Sequence, residues 1–421
     1  MRAWKKLLLL GLALLPARAL AQRLCFPEAT TPPGSGVSTP TLDGKVQGDV
    51  GWSNAFRYVF QGPASGPHAA MQGLRKGSDL YLSFEVEDDS GFDQDDTLVL
   101  AFRPVGTDQY RLIDISPVSP GVGSVTDKAP LEVTAWKVTG TPQSVDWSKA
   151  TPSAHPEWIE ARMATSGDGT ARKAWTVELR LPDISRTEQG LALGGVEEFD
   201  FHAAVLVDGD PAVALVWPPG APAPEAEERP ASTAPPTTWR RAYLKDTGCG
   251  GVSLGPDDIR TLEDPGSTID FQKPNRLVAT VHNASVSTAG LAAEAEGVTA
   301  TFLVSNEGVT AQGYSPWQLL PAPGNPTPRM TIPAEGSQSF STGEWMATQE
   351  QLDAYESHPE QVVLVELDAQ PGSGTYLAHR SAWRNMRFGE GGCNKAGGAL
   401  GAVTLGLFVL GIMRRRRNGE A

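Results

Sequence analysis

Apolar and polar residues alternate along most of this chain, a pattern typical of β-strands with one buried face. Three clear runs carry apolar residues at every second position: Leu80, Leu82, Phe84 and Val86; Leu98, Leu100 and Phe102; Trp175, Val177, Leu179 and Leu181. Turn-forming clusters at 88–91, 167–169 and 208–210 separate such runs, and the best helical pattern is confined to 348–356. Many short strands with one apolar face predict sheets packed in pairs.

Changes in composition divide the chain into segments. Residues 22–40 are rich in Pro, Thr, Gly and Ser and read as an extended leader. A first globular block covers 41–250, a second covers 256–388, and a glycine-rich tail covers 391–421. Each block has the size of one ordinary domain, so each is expected to form a sandwich.

The first 21 residues have the three parts of an export signal. A basic start precedes an apolar run from Leu7 to Leu15, and Ala19-Leu20-Ala21 supplies small residues for cleavage. The apolar run is too short to span a bilayer. The sequence therefore predicts a signal peptide that is cleaved after Ala21.

A second apolar segment lies near the other end. Ala396 to Met413 form 18 residues without a charge, and the arginines at 414–417 follow at once. This arrangement predicts a transmembrane helix with a cytoplasmic arginine cluster. The predicted fold class is thus all-β, with two antiparallel β-sandwich domains plus a C-terminal transmembrane helix.

The tail as a whole resembles the C-terminal sorting signals of myxobacterial surface proteins. Gly391-Gly392-Cys393, the apolar span and the arginine cluster occur in that family's order. The resemblance implies processing near Cys393, with the anchor carried on this cysteine at the cell surface or outer membrane. The alternative is an ordinary single-pass membrane protein with a spare thiol.

The exposed part of the chain is strongly acidic. The formal net charge is −14, but without the signal peptide and the segment from Asn394 onward 26 basic and 48 acidic side chains remain, a net charge of −22. Such a surface repels nucleic acid and anionic lipid, so binding to a phosphate backbone is excluded as a main role.

Three cysteines occur, and an exported protein meets an oxidising environment. If Cys393 belongs to the sorting tail, Cys25 and Cys249 remain as one pair. We therefore predict a disulfide between Cys25 and Cys249. The chain has no C-x-x-C pair and no Cys/His spacing typical of zinc sites.

Five motifs in the first block resemble, in order, those of family 9 carbohydrate-binding modules and their DOMON-type relatives. They are Leu42-Asp43-Gly44 with Trp52 and Ala55, Asp79 to Asp88, Asp95 to Leu100, Ala174 to Pro182, and Phe199 to Asp210. The resemblance covers about 170 residues and implies a β-sandwich that binds a carbohydrate by stacking aromatic rings on the sugar.

Tryptophans are the candidate ligand-binding residues under this resemblance. Trp52 and Trp175 fall on predicted core faces and are interpreted as packing residues. The candidates for a binding platform are Trp136, Trp147, Trp158 and Trp217. The alternative for each of them is partial burial in the sandwich.

An acidic stretch follows the strand of the second motif, and Ca²⁺ prefers closely spaced oxygen ligands. The candidate ligands are Glu87, Asp88, Asp89, Asp93, Asp95 and Asp96. No cofactor is certain, and calcium is kept as one interpretation. The other is that these acids face solvent, since no D-x-D-x-D-G loop is present.

Some DOMON-type relatives hold haem, which needs axial His or Met ligands. His68, Met71 and His202 are the candidates, although no C-x-x-C-H motif occurs. The alternative for His202 is a structural, hydrogen-bonded histidine.

In the second block, Asn275 to Asn283 resembles the V-x-V-x-N strand of adhesion-type immunoglobulin-like domains. The turn at Ile332 to Gly336 and the apolar runs at 300–304 and 361–367 accompany it. This resemblance implies a spacer or a partner-binding sandwich.

No nucleophile elbow, H-E-x-x-H, P-loop or dinucleotide fingerprint occurs, so an enzyme is not predicted. The leading hypothesis is an exported, surface-anchored, non-catalytic protein that binds a carbohydrate or glycan and contacts the membrane through its tail. The alternatives are a structural or adhesion protein without a small-molecule site, or a haem-binding DOMON module.

Overall fold

The computed structural model describes sixteen segments of the chain. They are residues 23–30, 39–46, 49–61, 66–87, 96–117, 131–153, 158–166, 174–187, 190–207, 210–224, 235–245, 249–263, 268–286, 291–305, 318–357 and 361–389. The predicted signal peptide with Ala21, the sorting tail with Cys393 and the predicted transmembrane segment lie outside these residues.

The described part of the chain is all-β, as predicted. In the first block the strands are β1 Leu24–Cys25, β2 Phe56–Gln61, β3 His68–Lys76, β4 Asp79–Glu87, β5 Thr97–Pro104, β6 Gln109–Pro117, β7 Leu131–Thr139, β8 Thr151–Pro152, β9 Glu160–Ser166, β10 Ala174–Leu181, β11 Glu198–Val207, β12 Asp210–Trp217 and β13 Arg240–Tyr243. Single 3-10 turns occur at Val50–Trp52, Trp147–Lys149 and Pro236–Thr238.

The remaining elements complete the second block. The strands are β14 Val252–Ser253, β15 Ile259–Thr261, β16 Thr268–Asp270, β17 Leu277–Asn283, β18 Ala295–Ser305, β19 Gln318–Leu319, β20 Met330–Ile332, β21 Ser337–Ser341, β22 Gln361–Ala369, β23 Tyr376–Leu377 and β24 Ser381–Gly389. A 3-10 turn covers Pro256–Asp258, and helix α1 covers Gln349–Ser357.

The described strands form three sheets. Sheet A has the order β1-β13-β11-β5-β6-β7-β8, with β12 paired to β11. Sheet B has the order β15-β17-β14-β23-β2-β3-β4-β10-β9, with β21 paired to β17. Sheet C has the order β16-β24-β22-β18-β19, with β20 paired to β18. Neighbours are antiparallel except β1–β13, β14–β23 and β16–β24.

The apolar residues of the alternating runs belong to the first core. This core lies between sheet A and the neighbouring strands β2, β3, β4 and β10 of sheet B. The apolar residues predicted to face inward on β4, β5 and β10 are all buried there. The second core lies between sheet C and the β14, β15, β17 and β21 part of sheet B, and includes Val281, Phe302 and Val365. Burial of these apolar faces is the main stabilising term in both units.

The polar sides of β4 and β10 are only partly solvated, whereas the alternating pattern predicts that they face solvent. Leu74 on β3 and Tyr81 on β4 are covered by residues of the 29–55 segment, including Trp52, which forms a separate apolar cluster there. Ser83 and Glu178 are fully buried on the same side of sheet B. The N-terminal segment therefore adds a third layer to the sandwich.

Strand β23 links the two blocks. Its two residues pair with β2 of the first block and with β14 at the start of the second. Tyr376 is buried in the first core and Leu377 in the second. The Tyr376 hydroxyl also accepts a hydrogen bond from the Cys25 backbone N–H at 3.1 Å.

Charged side chains reinforce this junction. Arg57 on β2 forms an ion pair with Glu85 on β4 and reaches Asp368 on β22, with its Nε 3.2 Å from Oδ1. The Arg380 backbone N–H donates to the Ala55 carbonyl at 2.9 Å. Glu85 is therefore part of a largely enclosed ion pair.

The predicted disulfide between Cys25 and Cys249 is confirmed, with the two Cα atoms 5.8 Å apart. The bond closes a loop across 224 residues and ties β1 to the segment that precedes β14. In the chain-entropy description, such a long loop restricts the unfolded chain strongly.

The predicted helical pattern at 348–356 is confirmed by α1. Thr348 Oγ1 accepts a hydrogen bond from the Gln351 N–H at 3.2 Å, and Gln351 Oε1 accepts one from the Thr348 N–H at 2.9 Å. These reciprocal bonds are a capping box at the helix start. Within the described residues, no helix has the length and apolar character needed to cross a membrane.

Candidate functional site

The motif residues of the first block meet in a buried hydrogen-bonded cluster. Glu178 Oε2 accepts from the backbone N–H groups of Asp43 and Gly44 at 2.8 and 2.6 Å, and Glu178 Oε1 accepts from Trp52 Nε1 at 2.8 Å. Gly44 has φ 83°, and a Cβ there would lie 2.4 Å from Ala164 Cβ, so only glycine fits. These residues hold the N-terminal layer on sheet B.

The electrostatics of this cluster are unusual because no cation neutralises its carboxyl groups in the described part of the chain. Burial raises the pKa of Glu178 to about 7, against hydrogen bonds from Gly44, Trp52 and Asp43 that lower it. Burial likewise raises the pKa of nearby Asp49 to about 6. The cluster is enclosed, so its role is structural.

The four candidate tryptophans lie in two different places. Trp136 and Trp147 belong to an apolar cluster on the outer face of sheet A. Trp158 and Trp217 lie against the first core. Because sheet A separates the two groups, they do not form a common platform. Trp147 and Trp217 are only 6% and 3% exposed, so their faces are not free for stacking. Trp52 and Trp175 are buried, as predicted.

The acidic stretch is only partly within the described residues. Asp88, Asp89, Asp93 and Asp95 lie outside them, so calcium binding there stays a prediction. Glu87 ends β4, and its carboxylate lies 3.4 Å from His68 Nε2. The hydrogen bond from His68 lowers the pKa of Glu87. Asp96 is fully buried before β5. Among the described residues, no cluster of three or more His, Cys, Asp or Glu suits a metal ion.

The three candidate haem ligands are separated by the fold. His68 lies on the outer face of sheet B, Met71 is buried in the first core, and His202 is buried on β11. The His202 ring stacks on Trp239 with ring centroids 6.1 Å apart. Burial lowers the pKa of His202 to about 4, so the ring is neutral. No two of these side chains share a site.

A cleft of about 610 Å³ opens where the two blocks meet. The first block contributes β2, the end of β12 and the start of β13. The second contributes the residues after β17, those before β18 and the turn before β23. We call this opening the junction cleft. Its volume lies within the range of small-molecule sites.

Aromatic side chains form the floor of the junction cleft. Alternation in β2 turns Tyr58 and Phe60 inward, with their ring centroids 6.3 Å apart, and Trp217 closes the floor from β12. Trp217 is thus the one predicted tryptophan among the residues that line this cleft. Burial raises the pKa of Tyr58 to about 12, so its hydroxyl keeps its proton.

Polar groups without protein partners surround this floor. The Ser285 Oγ and Arg240 Nε atoms are enclosed and have no hydrogen-bond partner among the described residues. The guanidinium of Arg240 and the carboxylate of Glu294 take part in no ion pair of the described chain. Buried polar groups are normally paired, so these atoms point to a ligand or bound water.

The turn before β23 supplies the opposite wall. Gly372 and Gly374 have φ values of 73° and 71°, which glycine adopts readily, and they bring Thr375 to the cleft. Thr375 Oγ1 donates to the Glu296 carbonyl at 3.0 Å, which fixes the turn against β18. The wall is therefore held in place before any ligand arrives.

A second cleft of about 400 Å³ lies on the outer face of sheet B and is lined by charges. Its charged groups are already paired, since Arg57 contacts Glu85 and Asp368, and Arg329 Nη2 lies 3.5 Å from Asp368 Oδ2. Burial would raise the pKa of Asp368, but the neighbouring arginines outweigh it and hold that pKa below its usual value. This cleft belongs to the junction between the blocks.

The sequence alone did not indicate that Tyr58, Arg240, Ser285 and Glu294 are site residues. The alternation of residues 56–61 could have indicated that Tyr58 and Phe60 share a face. No local pattern relates Arg240 to Ser285, because the fold brings them to the cleft from different blocks.

Comparisons with known proteins give structural neighbours only. No protein-family model matches the chain, and no curated protein matches it. A crystal structure of a candidate carbohydrate-binding protein from Bacteroides uniformis aligns at 12% identity with a TM-score of 0.34, covering 53% of this chain and 99% of the other. A family 9 carbohydrate-binding module from Caldicellulosiruptor kristjanssonii in complex with glucose aligns at 12% identity with a TM-score of 0.29, covering 53% and 95%. Its complex with cellotriose gives 12% identity, a TM-score of 0.28, and coverage of 53% and 93%. At this identity and these scores, the neighbours assign the chain to no family.

Proposed function

We propose that this protein is an exported, surface-anchored, non-catalytic carbohydrate-binding protein whose ligand lies in the junction cleft. The observation that carries the proposal is the combination of an aromatic floor with polar groups that have no protein partner. A sugar ring has apolar C–H faces and a rim of hydroxyl groups, so it matches such a lining.

The aromatic part of the site differs from the one expected from sequence. Tyr58, Phe60 and Trp217 present only a small part of their ring surface, because they are 7%, 2% and 3% exposed. Contact with a sugar is therefore limited to one apolar side of the ligand. Tyr58 and Ser285 also line the cleft, and hydroxyl groups can both donate to and accept from sugar hydroxyl groups.

The residues that line the junction cleft favour binding of a saccharide without its hydrolysis. Glycoside hydrolysis ordinarily needs two carboxyl groups on either side of the scissile bond. Among the described residues that line the junction cleft, Glu294 is the single acid. The sequence also contains no nucleophile elbow, H-E-x-x-H motif, P-loop or dinucleotide fingerprint.

Surface display is the second part of the proposal. The signal peptide and the tail with Cys393 support it from sequence, and the Cys25–Cys249 disulfide is consistent with an oxidising exterior. Mass spectrometry of the C-terminal peptide from cells would show whether the chain is processed near Cys393.

The ligand site is tested by filling the cleft. Ala293 is partly buried and lines the cleft, whereas its exposed neighbour Ala292 does not. The full chain is screened on an array of neutral and acidic glycans, and the best ligand is then titrated calorimetrically. We expect Ala293→Trp to weaken binding at least tenfold and Ala292→Trp to leave it unchanged. Equal effects of the two variants, or no binding to any glycan, would contradict the proposal.

A further inference from the structure

Arg240 stands out among the partly buried arginines at the edge of sheet A. It is the first residue of β13 and pairs in register with Phe201, whose ring faces the first core, so its side chain starts on the inner side of the sheet. Its Nε is enclosed without a hydrogen-bond partner. No acidic side chain of the described chain forms an ion pair with it.

The next residue, Arg241, is an arginine whose N–H donors have carboxylate acceptors. Arg241 points to the outer face of sheet A, where its Nη1 lies 2.6 Å from Glu198 Oε2 and its Nε lies 2.9 Å from Asp200 Oδ1. Two adjacent arginines on one strand therefore differ completely in their partners. The outer one is held by two carboxylates, and the inner one faces the junction cleft without any.

An enclosed Nε–H donor without an acceptor is costly, and the group that matches the planar N–H donors of an arginine is a carboxylate. Arg240 can therefore bind a ligand carboxylate through two parallel hydrogen bonds. Lysine would supply the charge without this geometry, since its ammonium is a point charge.

Ser285 supplies a second, independent indication of a ligand. It lines the cleft from the second block, is 6% exposed, and its Oγ has no partner among the described residues. Its backbone N–H donates to Asn283 Oδ1 at 2.8 Å, while Asn283 Nδ2 donates to the Ala293 and Ile332 carbonyls at 2.9 and 3.1 Å. A rigid backbone thus holds an unsatisfied hydroxyl in the cleft.

Glu294 is the lining residue that would oppose an anionic ligand. Its side chain is exposed, so water and salt screen its charge, whereas Arg240 is partly enclosed and interacts in a medium of lower dielectric constant. The attraction at Arg240 therefore outweighs the repulsion at the rim.

We infer that the junction cleft selects an acidic saccharide, with the carboxylate of a uronic acid residue bound by Arg240 and a ring hydroxyl group bound by Ser285. This inference rests on the proposed function and specifies its ligand class.

The test compares uronic-acid oligosaccharides with the same oligosaccharides after reduction of their carboxyl groups, by calorimetric titration of the full chain. For the tightest acidic ligand on the array, we expect carboxyl reduction to weaken binding at least tenfold. Arg240→Gln should cause a similar loss and remove the difference between the two ligands. Arg240→Lys should restore only part of the affinity.

Lys245→Gln is the matched control, because Lys245 packs over the Tyr243 ring outside the cleft and carries the same charge. Equal weakening by Lys245→Gln and Arg240→Gln would overturn the inference in favour of general electrostatic attraction. Binding of neutral glycans only, unaffected by Arg240→Gln, would overturn it while the proposed function stands. Failure to bind any saccharide would overturn both. Thermal unfolding of each variant confirms that it is folded.

Discussion

The buried carboxyl group of Glu178 makes the stability of the N-terminal layer depend on pH. Its side chain is fully enclosed, and burial raises its pKa from 4.5 to about 7 in the folded protein. The folded state therefore holds this proton more tightly than the unfolded state does. The resulting stabilisation is fully present below pH 4.5 and is lost as the pH rises through 7.

The magnitude follows from the two pKa values. One pH unit of difference corresponds to about 1.4 kcal/mol, so the change from 4.5 to about 7 corresponds to about 3 kcal/mol. The Glu178→Gln variant has no titrating group at this position. If the amide lowers the unfolding free energy, it does so equally at every pH. It therefore does not affect how the difference in unfolding free energy between the two proteins changes with pH.

The assay is urea unfolding of both proteins at intervals between pH 4 and pH 8. We expect the unfolding free energy of the natural protein, relative to Glu178→Gln, to fall by about 3 kcal/mol between pH 4.5 and 7.5. Trp52→Phe removes a donor that lowers this pKa, so the fall should extend to higher pH. If the unfolding free energy of the natural protein relative to Glu178→Gln does not change with pH, or rises with pH, burial is not the dominant effect on the pKa of Glu178.

Two further predictions concern interactions that connect distant segments of the fold, namely the disulfide and the ion pairs of Arg57. Replacing both Cys25 and Cys249 by serine should lower the unfolding free energy by about 5 kcal/mol, because the disulfide closes a loop of 224 residues; an unchanged urea midpoint would contradict the chain-entropy account. Arg57→Met leaves Glu85 and Asp368 without their main cation and should cost about 3 kcal/mol, measured by calorimetry; a loss below about 1 kcal/mol would mean that these groups behave like exposed ion pairs.

The strands of the first core could be predicted because their information is local. Leu82, Phe84 and Val177 each belong to a run with an apolar residue at every second position. All three are buried in the first core. The disulfide could be predicted from the number of cysteines, the expected oxidising compartment and the assignment of Cys393 to the sorting tail. The helix at 349–357 carried its own periodicity and capping residues.

The remaining features depend on contacts between distant segments. Glu178 looks solvent-facing in its strand, and only the arrival of Asp43, Gly44 and Trp52 from over a hundred residues away encloses it. Trp147 and Trp217 are buried because further segments cover both faces of sheet A. The junction cleft has no signature of its own, since Arg240 and Ser285 come from different blocks.

Strand β23 has a practical consequence for anyone who excises part of this molecule. A recombinant fragment that stops at the linker near Gly250 would leave β2 as an uncovered edge, open to pairing with other chains. It would also leave a hole where the Tyr376 ring fills the interior. Expression boundaries that keep the first block intact must therefore extend past residue 377, although most of the sequence in between belongs to the other unit.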